Sequence, residues 1–210
     1  MITKKDEVRS DPVCRDTAYS DQADAVSVQA ETDAQGRKHE DQWYHRNPDL
    51  LQAEIAVMLR RFPNAHYGYL ENKGNMYWIV THTVGMNPEF TKPWRFLILY
   101  DKNHPNCVKH GSSIQVALLT PSYEELMEIA QRHGHPYIPH TAVSNEIVAG
   151  HYLDLSLPND YVSDRNDIKS ALTMAHRAIT WAAHFECGIM DKDIWNKWCG
   201  INHIRQLPLE

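Results

Sequence analysis

The sequence predicts an α+β fold, and three observations carry that prediction. An apolar stripe at helical spacing comes early in the chain. Four short runs rich in β-branched and aromatic residues follow, separated by turn residues. A second, longer apolar stripe at helical spacing lies near the C-terminus.

Taken in order, residues 1–41 read as a disordered acidic and polar tail. Up to about residue 40 there is no Leu, Phe or Trp, and Asp, Glu, Ser, Thr and Ala dominate. Such a segment cannot bury enough apolar surface to offset its ordering entropy. Residues 42–210 read as the folded domain, starting near Trp43. Asn47-Pro48-Asp49 looks like a helix start: a cap, a proline in the first turn, and an acid at the positive dipole end. Leu50, Leu51, Ile55, Met58, Leu59 and Phe62 then share one helical face, and Pro63-Asn64 ends the pattern.

The four extended runs begin at His66, Tyr77, Trp94 and Ser113. A turn at Asn72-Lys73-Gly74-Asn75, a loop containing Pro88 and Pro93, and a turn at Lys102 to Asn106 divide them. This spacing suggests a four-stranded antiparallel meander packed on the first helix. Ser122 with Glu125 forms a capping-box signature, so a short helix should run to about Arg132-His133-Gly134. Residues 134–164 read as an irregular flap with a short apolar piece at Tyr152 to Leu155. Ile168, Ala171, Leu172, Ala175, Ala178, Ile179, Ala182 and Phe185 then mark the strongest helix, with Gly188 expected at its C-terminal cap. A last short helix is expected from Asp191 to Trp198.

Composition narrows the function classes. A formal net charge of −6 gives no basic footprint for nucleic acid. No apolar run approaches the ~18 residues needed to span a bilayer, and no signal-peptide core follows Met1. A cytoplasmic location and no membrane partner are the resulting expectations. Cys14, Cys107, Cys187 and Cys199 are widely spaced and form no Cys-x-x-Cys pair, which disfavours zinc and disulfide frameworks. No glycine-rich phosphate loop is present, and no cofactor is expected.

The order helix, four-strand meander, irregular segment, long helix, short helix resembles the ubiquitin-conjugating (UBC-like) fold. Phe62-Pro63 after the first helix is similar to that family's opening, and Tyr100 to Pro105 to its strand-three exit. The C-terminal part resembles bacterial relatives found in ubiquitin-like conjugation and antiphage operons. These typically show Leu-Cys-Leu, a Pro-rich turn with a tyrosine, then Trp and Glu on a helix and one more Trp. Here the matching residues are Leu153-Asp154-Leu155, Pro158-Asn159-Asp160-Tyr161, Trp181, Glu186 and Trp195. The resemblance covers roughly residues 45–199. It implies a ubiquitin-like protein, an activating enzyme or a modified target as partner.

In that family the cysteine carries the acyl group, because a thiolate is both a strong nucleophile and a good leaving group. Asp154 stands in its place. An acyl-aspartate is a mixed anhydride, open to hydrolysis, so the resemblance implies a non-catalytic binding homologue. Three alternatives stay open at this point. An active thioester-forming transferase would use Cys107, which follows His104-Pro105-Asn106, although the family's nucleophile lies several residues beyond such a triplet. Cys187 reads more simply as a buried, inert thiol. A metal-dependent hydrolase would use the His133–Asp154 segment, where His133, His135, His140 and His151 accompany Asp154. His140, or Asn145, also lies where the family places a polar flap residue that stabilises an oxyanion. The simplest reading of both is ordinary loop polarity. Trp181, Trp195 and Trp198 read first as packing residues and second as a recognition surface.

Overall fold

A computed structural model describes residues 41–71, 73–106, 113–144, 150–155 and 170–203. Residues 1–40 of the tail expected over 1–41, Cys107, Asn145, the Pro158–Tyr161 turn and Ile168 of the expected long helix lie outside the described residues. The architecture is α+β, with helices α1 (Trp43–Arg46), α2 (Pro48–Arg61), α3 (Tyr123–Arg132), α4 (Ala171–Met190) and α5 (Lys192–His203). One antiparallel sheet contains β1 (His66–Tyr69), β2 (Met76–His82), β3 (Trp94–Tyr100), β4 (Ile114–Thr120), β5 (Thr141–Ser144) and β6 (Gly150–Leu153).

Local chemistry starts the elements as the residue types dictate. The Asn47 side chain accepts the Leu50 N–H at 3.1 Å, with Pro48 opening α2 behind it. Ser122 and Glu125 form a reciprocal capping box on α3. Gly74 takes φ +70° in the β1–β2 turn, a conformation that glycine adopts without a Cβ penalty.

The sheet is larger than four strands. Its order is β1-β2-β3-β4-β6-β5, so the first four strands neighbour each other in sequence and two more extend the β4 side. The expected irregular flap over 134–164 is corrected here: Thr141–Ser144 and Gly150–Leu153 pair as β5 and β6, and β6 pairs with β4. Both strands are four residues long, which is why their alternation is too short to read in sequence.

One face of the sheet carries the core. Met76, Trp78 and Val80 on β2 and Trp94, Phe96, Ile98 and Tyr100 on β3 are fully buried. Helix α4 lies against this core, with Ala171, Ala175, Ala178 and Ala182 buried along its inner face and small enough for close approach to the strands. Two expectations about helices change. Leu59 on α2 is exposed, and Glu54 is buried in the same helix. Gly188 is not a C-terminal cap; α4 continues to Met190. A Cβ at Gly188 would lie 3.3 Å from the Trp195 ring and 3.4 Å from its Cα, so the glycine permits α5 to pack closely. Asp191 then starts α5, its Oδ1 accepting the N–H groups of Asp193 and Ile194.

Two buried carboxylates fix α4. Glu54 accepts the Tyr100 hydroxyl at 2.6 Å and the Ala171 N–H at 2.9 Å, so it occupies the start of α4. Burial raises the Glu54 carboxyl above its ordinary range, against the two donors that favour its charge. Burial, and then the Glu54 charge, push the Tyr100 phenol well above its usual value. Glu186 lies toward the other end of α4 and is 1% exposed. It accepts the N–H groups of Met86 and Asn87 at 2.7 and 3.0 Å and the Trp94 indole N–H at 2.7 Å. Its carboxylate therefore ties the β2–β3 loop and β3 to the helix.

Replacing Glu186 by Ala leaves three buried or half-buried donors unsatisfied. We expect a loss of about 3 kcal/mol or more, since each orphaned group costs roughly 1–3 kcal/mol. Glu186→Gln keeps one carbonyl acceptor and should lose less. Urea midpoints of the two variants measure this, and equal loss in both would contradict it.

Candidate functional site

The candidate site forms where β6 ends. Leu153 is buried and pairs with both Val116 of β4 and Thr141 of β5. This pairing delivers Asp154, half-buried, to the end of the strand. The Asp154 N–H donates to the His140 carbonyl at 2.8 Å. Two residues singled out from the sequence, fourteen positions apart, are thus brought together by the β5–β6 hairpin.

His140 has φ +54°, and among the described residues it alone combines a side chain with a positive φ. The left-handed conformation costs a Cβ-bearing residue energy, less for His than for a β-branched residue. Neighbouring contacts hold it. Thr141 Oγ1 donates to the Ile138 carbonyl at 2.9 Å, and Trp181 Nε1 on α4 donates to the Pro139 carbonyl at 3.1 Å. One turn earlier on α4, Arg177 Nη1 donates to the Leu155 carbonyl at 3.0 Å. Helix α4 therefore grips the chain on both sides of the His140–Asp154 contact. The His140 ring lies 5.6 Å from that of Trp198, which packs on Trp181 and Trp195. All three tryptophans are buried, so their first role is packing.

The remaining histidines of this segment go to separate partners. His133 Nε2 donates to Glu89 at 3.1 Å, beside the Arg132–Glu89 ion pair. Burial alone would raise the Glu89 carboxyl, but hydrogen bonds from Arg132 and His133 pull it below its ordinary value. His135 stacks on Trp195 at 3.8 Å, and burial lowers its basicity. His151 stacks on Tyr123 at 3.5 Å with the rings 6° from parallel. Among the described residues no three His, Cys, Asp or Glu side chains converge as metal ligands. A cleft of about 270 Å³ lies nearby between Glu89, Phe90 and Lys92 of the β2–β3 loop and Ile129 and Arg132 of α3.

Of the cysteines, Cys187 is half-buried on α4 and Cys199 is buried on α5, and both are free thiols. Cys107 lies outside the described residues, but its neighbour His104 does not. His104 is 3% exposed, with Nδ1 2.7 Å from Ser113 Oγ and its ring against Trp43 and Tyr100. Burial pushes the imidazole down to about 4. Among the described residues no helix is long and apolar enough to cross a membrane.

Sequence reasoning missed Glu54 as a buried group and the backbone bond joining His140 to Asp154. A carboxylate within an apolar helical stripe was the available signal for Glu54. No family model matches this chain, and no curated protein or solved structure matches it.

Two outcomes follow from the geometry. His140→Asn should be nearly neutral, whereas His140→Val should cost about 1–2 kcal/mol by forcing a β-branched residue to positive φ. Chemical denaturation compares them, and equal stability would contradict the constraint. The folded-state pKa of His104 lies below its unfolded value of 6.5, so its neutral form adds stability that is full above pH 6.5. That stability falls as pH drops from 6.5 toward 4, by about 3 kcal/mol in total. Urea midpoints between pH 7 and pH 4 should fall less steeply in His104→Gln than in the parent chain.

Proposed function

We propose that this chain is a ubiquitin-conjugating-like binding domain that carries no acyl group, working in a bacterial ubiquitin-like modification or antiphage system. The carrying observation is Asp154, half-buried at the end of β6, at the position where the resemblance places the nucleophile. A carboxylate there cannot replace a thiolate as an acyl carrier. The order of elements supports the same reading: a helix, four consecutive antiparallel strands, a short helix, a long helix and a final helix. Two further strands, β5 and β6, bring the His140–Asp154 contact to the sheet's edge region.

The matching Trp181, Glu186 and Trp195 have structural work in this fold. Trp181 holds Pro139, Glu186 holds the β2–β3 loop, and Trp195 closes α5 onto Gly188. This scaffold with a carboxylate in place of a thiol at position 154 fits a domain whose task is recognition. Its partner is a ubiquitin-like protein, an activating enzyme or a target protein.

The test begins with the tagged full chain isolated from its native cells under denaturing, non-reducing conditions, with intact masses taken before and after hydroxylamine. No hydroxylamine-labile adduct is expected. A labile adduct of ubiquitin-like mass, lost in Cys107→Ala, would overturn the reading in favour of an active transferase. In parallel, a photo-crosslinking residue at exposed Val143 should capture a ubiquitin-like or activating protein in the parent chain, and much less in Asp154→Arg. Capture unchanged by Asp154→Arg would remove the site from the interface.

A further inference from the structure

One wall of the cleft between the β2–β3 loop and α3 is a single helix face. Glu128, Ile129 and Arg132 follow Glu125 by three, four and seven positions, so the four residues share that face, and all line the cleft. The facing wall is the loop, with Phe90 and Lys92. That wall is fixed before anything binds. Glu186 accepts the N–H groups of Met86 and Asn87, and Asn87 Oδ1 accepts the Glu89 N–H at 2.9 Å. The Phe90 ring packs on Trp94 and Phe185. A volume of about 270 Å³ is below the ~300–1,000 Å³ of small-molecule pockets, and suits an inserted side chain better.

The charges in the cleft divide into engaged and open ones. Arg132 and His133 both bond Glu89, which takes the Arg132–Glu89 pair out of account. Glu125 Oε2 accepts the Ser122 N–H at 2.7 Å, and one carboxylate oxygen is left over. Among the described residues Glu128 and Lys92 have no ion-pair partner, and both are exposed. The balance is two carboxylates on the helix against one ammonium on the loop, beside half-buried Phe90 and Ile129.

The geometry points to a docking groove for a basic side chain, arginine or lysine, presented by a partner polypeptide. Long basic side chains lay their aliphatic stems on apolar surface and keep the charged head in water. Here the stem rests on Phe90 and Ile129 and the head lies at Glu125 and Glu128. An arginine head gains further attraction from the Phe90 ring. An acidic segment meets the same two carboxylates with only Lys92 in its favour. A second copy of this chain brings a formal net charge of −6 and is repelled on average. The groove uses no residue of β5, β6 or the His140–Asp154 contact, so it stands apart from the reading of Asp154.

The experiment is an NMR titration of the 15N-labelled full chain with two acetylated, amidated hexapeptides, one alternating alanine with arginine and one alternating alanine with glutamate. The arginine peptide should shift the amides of Phe90 to Lys92 and of Glu125 to Arg132, and saturate. Glu128→Lys should weaken it about fivefold, and Lys92→Glu should tighten it by about as much. Glu71→Lys makes the same charge change in the β1–β2 turn, at the opposite end of β2 from the loop, and should weaken binding less than about twofold. All three positions are exposed, so the fold is retained in each variant. Absence of saturable shifts at the cleft overturns the proposal, as does a glutamate peptide that binds equally well. Equal losses in Glu128→Lys and Glu71→Lys reduce the effect to the overall charge of the chain and overturn it too.

Discussion

Helix α4 is held by two carboxylates buried at or near its two ends, and the rest of the molecule is arranged around that restraint. Glu54, from α2, occupies the helix start and takes the Tyr100 hydroxyl from β3. Glu186, from α4 itself, collects two loop N–H groups and the Trp94 indole. Among the described residues neither has a basic partner, and hydrogen-bond donors satisfy both. The inner face of α4 packs on the core through Trp181 and Phe185 as well as its alanines. The polar anchors add directional bonds that set the register of the helix on the strands.

The same register serves the candidate site. Arg177 and Trp181 reach the backbone of Leu155 and Pro139 only when α4 is correctly placed. The site is thus assembled from a strand end, a left-handed residue and two helix side chains. None of these groups is near another in sequence, except Arg177 and Trp181.

Much of the fold was legible because local chemistry and global packing agree. The cap at Asn47, the capping box at Ser122 and the four extended runs needed no tertiary information. What escaped did so for identifiable reasons. Strands β5 and β6 are four residues each and carry His, Gly and Ser, so neither alternation nor propensity marks them. Gly188 has two physical uses, ending a helix or admitting a neighbour, and only the Trp195 contact decides between them. Histidines clustered in sequence disperse because the segment turns, sending His133 toward Glu89, His135 onto Trp195 and His151 onto Tyr123. At the site, Asp154 and His140 were each visible, but their contact depends on a hairpin that sequence did not show.

Among the described residues the β5–β6 hairpin joins the main sheet through one registered pair, Val116 with Leu153, whereas β2 and β3 share six. With fewer ladder bonds at that seam, the hairpin amides should exchange hydrogen faster than those of β2 and β3. A docking partner that needs this edge would meet a lower local unfolding cost there than anywhere along the central strands.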